Sequence, residues 1–256
     1  MIKTLSIQTY SLRDVVSTRE ETKSTLKALK DYGYSGMQIC GLNLHYGEAE
    51  FAQDAKDAGL DVIGTHLPVD YLLDAEKTAR LQEMLGTKYA GLGGLPAVFK
   101  PDLNKESFMK GLDEVNAICE GFKKYGLKFT YHHHACEFAK FGNESMMDIL
   151  MREMLPNSSF VLDTYWLQHA GANVLEWIDK LAGRVDILHL KDKAVAPGTN
   201  DGHITELGNG NMNFKEIIRV AEASGVEHLC YEQDNGFTVN CLDSAKKSAE
   251  FFYSII

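Results

Sequence analysis

The stretch Gly126-Leu127-Lys128-Phe129-Thr130-Tyr131-His132-His133-His134-Ala135-Cys136-Glu137-Phe138 decides how the rest of the chain is read. It opens on a glycine, runs through a short apolar and aromatic segment, and ends in three histidines and a carboxylate. A glycine just past a helix can take the left-handed backbone that closes it. The segment after it has the length and composition of a strand buried on both faces. Imidazole and carboxylate are common first-row metal ligands and general bases, so a strand that ends in them reads as the floor of a site. A solvated histidine run is the plainer reading, but this tract is internal and follows a buried-looking strand. Side chains alternate along extended backbone, which sends His132 and His134 toward a pocket and His133 into the surrounding wall. By the same rule Cys136 points away from its neighbour Glu137 and packs.

Working outward, the same order of helix, glycine and short apolar run recurs. Gly33 precedes Met37-Gln38-Ile39, and Gly59 precedes Asp61-Val62-Ile63. Gly86 precedes Tyr89 to Leu92, Gly183 precedes Val185 to Leu190, and Gly225 precedes Leu229-Cys230-Tyr231. Pro156-Asn157 takes the glycine's place before Phe160-Val161-Leu162, and Ile2 to Ile7 supplies a first strand. Between the strands, apolar residues fall on one helical face: Phe108, Leu112, Val115, Cys119 and Phe122; Val174, Trp177, Ile178 and Leu181; Phe214, Ile217, Ile218 and Ala221. The pattern predicts helices over roughly 19–32, 46–58, 73–85, 103–125, 143–154, 172–182, 213–224 and 240–254. Eight strands alternating with eight helices form an α/β chain of the (β/α)8 TIM-barrel class, a single domain over residues 1–256. A doubly wound sheet would carry a glycine-rich dinucleotide loop after an early strand, and Gly91-Leu92-Gly93-Gly94 lacks that spacing.

The composition agrees and excludes several classes. A length of 256 residues suits one such barrel, and 45% hydrophobic residues are ample for its core. A formal net charge of -10 argues against a nucleic-acid partner, which needs a basic footprint. The five cysteines are odd in number and lack CxxC spacing, as expected of reduced thiols in a cytoplasmic protein. No apolar run is long enough to span a membrane, and no secretory leader is legible, although one removed beforehand would leave no trace.

A barrel of this kind keeps its chemistry at the carboxyl ends of its strands. In order, those ends read Gln8-Thr9-Tyr10-Ser11, Gln38-Ile39-Cys40, Gly64-Thr65-His66, a run of glycines, the histidine cluster with Glu137, Asp163-Thr164-Tyr165-Trp166, His189-Leu190-Lys191-Asp192 and Glu232-Gln233-Asp234. Any one of these could be a cap or a core residue, and Asp163 alone could be a helix N-cap. Placed together on one rim they read as a site. Carboxylates and imidazoles suit a divalent cation: manganese, magnesium, cobalt or zinc. Residues 191–212, with Pro197, Gly198, Gly202, Gly208 and Gly210, read as a long rim loop able to act as a lid. Within it Glu206 and His203 are candidate substrate contacts or reserve ligands, and Asn211 or Asn213 a cap for the following helix.

At these residues the chain resembles the xylose isomerase-like TIM barrels, and within them the sugar phosphate isomerase/epimerase group. The resemblance rests on Ile7 to Asp14, Tyr131 to His134 with Glu137-Phe138, Leu162 to Trp166, His189 to Asp192, Glu206 to Gly210 and Tyr231 to Asp234, in that order. It implies a divalent metal site of Glu137, Asp163, His189 and Glu232, with His132 or His134 as alternatives for the strand-five ligand. Two departures bear on substrate identity: His133 stands where relatives often have Asn, and Gln38 where they often have Glu.

The activity so implied is that of a metal-dependent sugar isomerase or epimerase, working on a small keto-sugar or polyol through an enediolate. The cation acts as a Lewis acid, and Glu137 or Glu232 carries the proton. Lys191 holds an oxyanion, and His66, His132 and His134 contact hydroxyls or relay protons. Gln8, His66, Trp166 and Glu206 bind substrate, with Tyr165 and Trp166 offering an apolar face. The same enolisation can instead expel a leaving group, giving a lyase, dehydratase or hydrolase of a keto-inositol or 3-keto-glycoside. An apurinic-type endonuclease is disfavoured by the charge, and a non-catalytic sugar-binding barrel is the remaining class. The lack of a dense Arg/Lys clamp points to an unphosphorylated sugar, and barrels of this kind often pair as homodimers.

Overall fold

The apolar runs that follow the glycines are parallel strands, and each lies beside the next. The computed structural model describes residues 2–40 and 47–256. Its barrel strands are β1 (Ser6–Gln8), β2 (Gly36–Ile39), β3 (Asp61–His66), β4 (Tyr89–Leu92), β5 (Lys128–His132), β6 (Ser158–Asp163), β7 (Val185–Leu190) and β8 (His228–Tyr231). They pair in sequence order, and β8 returns to β1 through Ser6 opposite Cys230, which closes the barrel. This is the expected (β/α)8 TIM barrel.

Most of the described helices start where a side chain satisfies their free N–H groups. Thr18 and Glu21 form a reciprocal cap on Arg19–Asp31, and Asn104 and Ser107 do the same for Lys105–Lys123. Asn213 caps Phe214–Ala223, as its position in the sequence suggested. Gly86 closes Ala75–Leu85 in the left-handed conformation, with φ of 74°. The periodic faces are inward: Phe108, Leu112, Val115, Cys119 and Phe122 are all buried between helix and barrel.

Several boundaries differ from expectation, each for a local reason. The helix expected over 73–85 is two, Val69–Leu73 and Ala75–Leu85, because Asp74 leaves the helical conformation and caps the second through Lys77 N–H. The first strand begins at Ser6, not at Ile2. A short helix, Thr164–His169, starts directly after β6 and precedes Val174–Lys180. The rim loop contains an antiparallel hairpin, Asp192–Val195 against Gly202–Thr205. The expected helix start at residue 46 lies outside the described residues; the helix seen there is Glu48–Asp57.

Inside the barrel, Ile63, Val161, Ile187 and Cys230 form an apolar layer. The polar layer above it, at the strands' carboxyl ends, is the candidate site. The opposite end carries a Lys128–Asp186 ion pair of 2.7 Å and a Tyr89–Glu227 hydrogen bond of 2.6 Å. Among the described residues no helix is long and apolar enough to cross a membrane.

One of the rim glycines is sterically obligatory. A Cβ on Gly91 would stand 1.8 Å from the carbonyl oxygen of Thr130, its partner in β5. Gly91→Ala must push β4 from β5 and is expected to cost about 3 kcal/mol, read as a lower urea midpoint at unchanged m-value. An unshifted midpoint would show that the strands part freely.

Candidate active site

The last four strands each deliver one side chain to a common point. His132 ends β5, Asp163 ends β6, His189 lies in β7 and Glu232 follows β8. One ligand atom from each lies within 4.8 Å of all the others, and all four residues are buried. The local reason is the strand pairing, which sets Asp163 beside His189 in register and leaves the top inward positions to these side chains.

The histidine tautomers follow from outer partners. His132 Nδ1 lies 3.3 Å from the carbonyl oxygen of Gly93, which can only accept, so Nδ1 carries a proton and Nε2 is the nitrogen turned to Asp163 Oδ2 at 3.5 Å. His189 Nε2 lies 2.6 Å from Gln38 Oε1, which leaves Nδ1 toward Glu232 Oε2 at 2.9 Å and Asp163 Oδ2 at 3.7 Å. His189 Nδ1 and Glu232 Oε2 are both buried, and neither makes an aligned hydrogen bond among the described residues. Two imidazole nitrogens and two carboxylate oxygens aimed at one another suit a shared divalent cation, and the residues fit one. Burial opposes a charge on His189, but Glu232 and Asp163 hold its ring above the usual histidine range, so an arriving cation displaces a proton.

Lys191 is the cation of the cluster. Its ammonium lies 2.8 Å from Glu232 Oε2, 3.0 Å from Asp234 Oδ2 and 3.3 Å from Asp163 Oδ2. Burial works against its charge, yet the three carboxylates outweigh burial and keep it protonated. Burial likewise works against charge on Asp163 and Glu232, but Lys191 holds both carboxyls well below the ordinary range. Once an arriving cation has displaced the His189 proton, three carboxylates against one ammonium leave a formal excess of two negative charges, which one divalent cation neutralises.

Asp163 answers both readings of its sequence position. Oδ1 accepts the Trp166 N–H at 2.9 Å as an N-cap, while Oδ2 faces the cluster. His133 points into the wall, as alternation requires, and its Nε2 accepts the Asp163 N–H at 3.0 Å, steadying that ligand. His134 and Trp166 sit at the edge of the cluster with rings 5.2 Å apart, and the Trp166 ring lies 5.3 Å from the Lys191 ammonium. His134 Nδ1 and Trp166 Nε1 are buried and have no hydrogen-bond partner among the described residues. Burial, then His132 and Lys191, push the His134 ring down to about 3, so it is neutral.

Three sequence expectations meet a different geometry. Glu137, expected as a metal ligand and proton carrier, turns away from the cluster. Its oxygens accept from Tyr131 OH at 3.1 Å, His134 N–H at 2.8 Å and Cys136 Sγ at 3.2 Å. The chain bends into a short 3-10 helix at Cys136–Phe138, so strand alternation no longer applies, and His132 takes the strand-five place. Burial raises the Glu137 carboxyl pKa, opposed by those donors. Glu206, expected to touch substrate, has its carboxylate filled by Thr238 N–H and hydroxyl, Ser244, Thr205 and Asn209, and it ties the rim loop to the start of the last helix. Gln8, also expected at the substrate, is fully buried and its amide donates to Gln38. His66 stays near the cluster, its ring stacked 5.5 Å from that of His132.

Other residues of the site were not singled out in the sequence. Asp234 adds a third carboxylate on Lys191; its place two residues after Glu232 at the same rim was the available signal. Asp192 accepts N–H groups from Lys193, Gly208, Gly210 and Met212 and so organises the rim loop from inside. No local pattern announces that role, because its partners lie up to 20 residues away.

The chain is similar to several known proteins. An inosose dehydratase of Clostridium perfringens is 27% identical over 168 residues, 58% of this chain and 55% of that protein. The chain thus matches little more than half the length of that relative. A solved sugar phosphate isomerase/epimerase from Parabacteroides distasonis superposes with a TM-score of 0.79 at 20% identity, covering 99% of this chain and 95% of that one. A solved IOLI protein with a bound zinc atom superposes at 0.74 and 15% identity, covering 98% of each chain. Residues 19–255 match the family described as xylose isomerase-like TIM barrel, and with its closed barrel the chain belongs to that family.

Proposed function

We propose that the protein is a divalent-metal-dependent lyase that dehydrates a keto-inositol or a closely related keto-polyol. The observation that carries this is the convergence of His132, Asp163, His189 and Glu232 beside the Lys191 ammonium. The sequence likeness to an inosose dehydratase favours elimination as the outcome. A divalent ion held by those four residues would act as a Lewis acid on the substrate carbonyl.

The chain's own groups supply the rest. Glu232, held ionised by Lys191, takes the proton from the carbon beside the carbonyl. The electron pair shifts toward the carbonyl oxygen, where the Lys191 ammonium adds positive charge beside the four donors. It then returns to form the carbon–carbon double bond and expels the hydroxyl one carbon further on. The protonated Glu232 gives its proton to that hydroxyl, which leaves as water, so the base is regenerated. His134 Nδ1 and Trp166 Nε1, without partners among the described residues, supply contacts for the substrate's other hydroxyls. Arg13 at this rim is engaged by the Tyr10 and Asp234 carbonyls and Lys191 by carboxylates, which favours an uncharged polyol over a phosphorylated sugar.

An isomerase or epimerase is the second reading, favoured by the full-length superposition on a sugar phosphate isomerase/epimerase. The same enolate would then be reprotonated with the hydroxyl retained. Proton NMR of the reaction in heavy water separates the two. An olefinic product with loss of water is expected. Deuterium entering an intact ring or chain would replace the dehydratase with an epimerase.

A further inference from the structure

Gln38 is fully buried at the carboxyl end of β2, and its amide joins three side chains from three other strands. Its Oε1 accepts from Gln8 Nε2 at 2.8 Å and lies 2.6 Å from His189 Nε2. Its Nε2 lies 3.0 Å from His66 Nε2. An amide oxygen only accepts and an amide nitrogen only donates. His189 therefore carries a proton on Nε2 whatever the state of Nδ1, and His66 keeps a lone pair on Nε2. The opposite amide orientation would set the Gln38 NH2 against the NH2 of Gln8. The remaining approach, Gln8 Nε2 to His66 Nδ1 at 3.5 Å, sets donor against donor and adds nothing.

We propose that Gln38 is a positioning residue for the metal site: it commits Nδ1 of His189, and not Nε2, to the cation, and locks His66 as the Nδ1–H tautomer beside it. Without the acceptor at Nε2, the His189 ring can flip and offer either nitrogen to Asp163 and Glu232. Gln8 has an indirect part, since its amide holds Gln38 in the required orientation. This rests on the metal reading of the site given above.

The test is zinc affinity of the metal-stripped protein, measured by competition with a chromophoric chelator, for the native chain, Gln38→Leu and Gln38→Glu. Outer partners of metal-bound histidines typically contribute 10–100-fold, so Gln38→Leu is expected to weaken zinc binding by about that factor. Gln38→Glu restores an acceptor for Nε2–H and is expected to bind within about threefold of the native protein. A merely structural role would not separate the two variants in that order. Histidine-selective 15N NMR of the zinc-loaded native protein gives a second readout, independent of whether Gln38→Leu folds: His189 protonated on Nε2 and ligated through Nδ1. Folded Gln38→Leu with native zinc affinity, or His189 ligated through Nε2, overturns the inference and leaves the metal site standing. A native protein that binds no zinc and no other divalent ion overturns both.

Discussion

Glu232→Gln is expected to leave the fold in place and to lower turnover of a keto-polyol by about 10³-fold or more, within reach of what a positioned acid–base group contributes. Glutamine has nearly the same shape, so packing above the apolar layer of Ile63, Val161, Ile187 and Cys230 is kept. The charge is what changes. Lys191 loses its 2.8 Å partner but keeps Asp163 and Asp234, so its ammonium is not left buried and alone. That remaining pairing limits the stability loss that stripping one partner from a buried ion pair otherwise brings. The proton acceptor of the proposed elimination, by contrast, is gone. Turnover within tenfold of native, with circular dichroism unchanged, would remove Glu232 from the chemistry and leave Asp163 as the remaining carboxylate of the four.

His132→Ala and Glu137→Gln are expected to part company in divalent-ion affinity. Losing His132 removes one of four converging donors, and its cost should exceed the 10–100-fold typical of an outer partner, so about 100-fold or more. Glu137→Gln should leave affinity unchanged, because its carboxylate serves Tyr131, His134 and Cys136 and not the cluster. Its cost falls on stability instead, about 1–2 kcal/mol, since an amide NH2 would face donors that a carboxylate accepts. Calorimetric titration with manganese or zinc on both variants, beside urea melts, reads the two effects separately. Equal affinity loss in both would return Glu137 to the metal sphere, as the family resemblance implied.

How much of this was legible beforehand depends on distance along the chain. The barrel was written locally: a glycine after Leu85, an asparagine at 213 ahead of its helix, and the inward face Phe108 to Phe122 each act within a few residues. That Asp163, His189 and Glu232 share one rim was legible as well, because a closed parallel barrel sends every strand's carboxyl end there. Glu137 was carried over from the family resemblance; here a 3-10 turn begins at Cys136 and takes its carboxylate to Tyr131, His134 and Cys136 instead of the cluster. Glu206 and Gln8 were misread because an unpaired polar residue and a saturated one look alike in sequence; their partners Ser244 and Gln38 lie 38 and 30 residues away. Sequence by itself thus determined the architecture and which strands feed the site, through short-range periodicity and capping. Only the tertiary structure decided which of the candidate polar groups converge and which are consumed by other partners, because hydrogen-bond saturation and ligand convergence are properties of side chains brought together from distant strands.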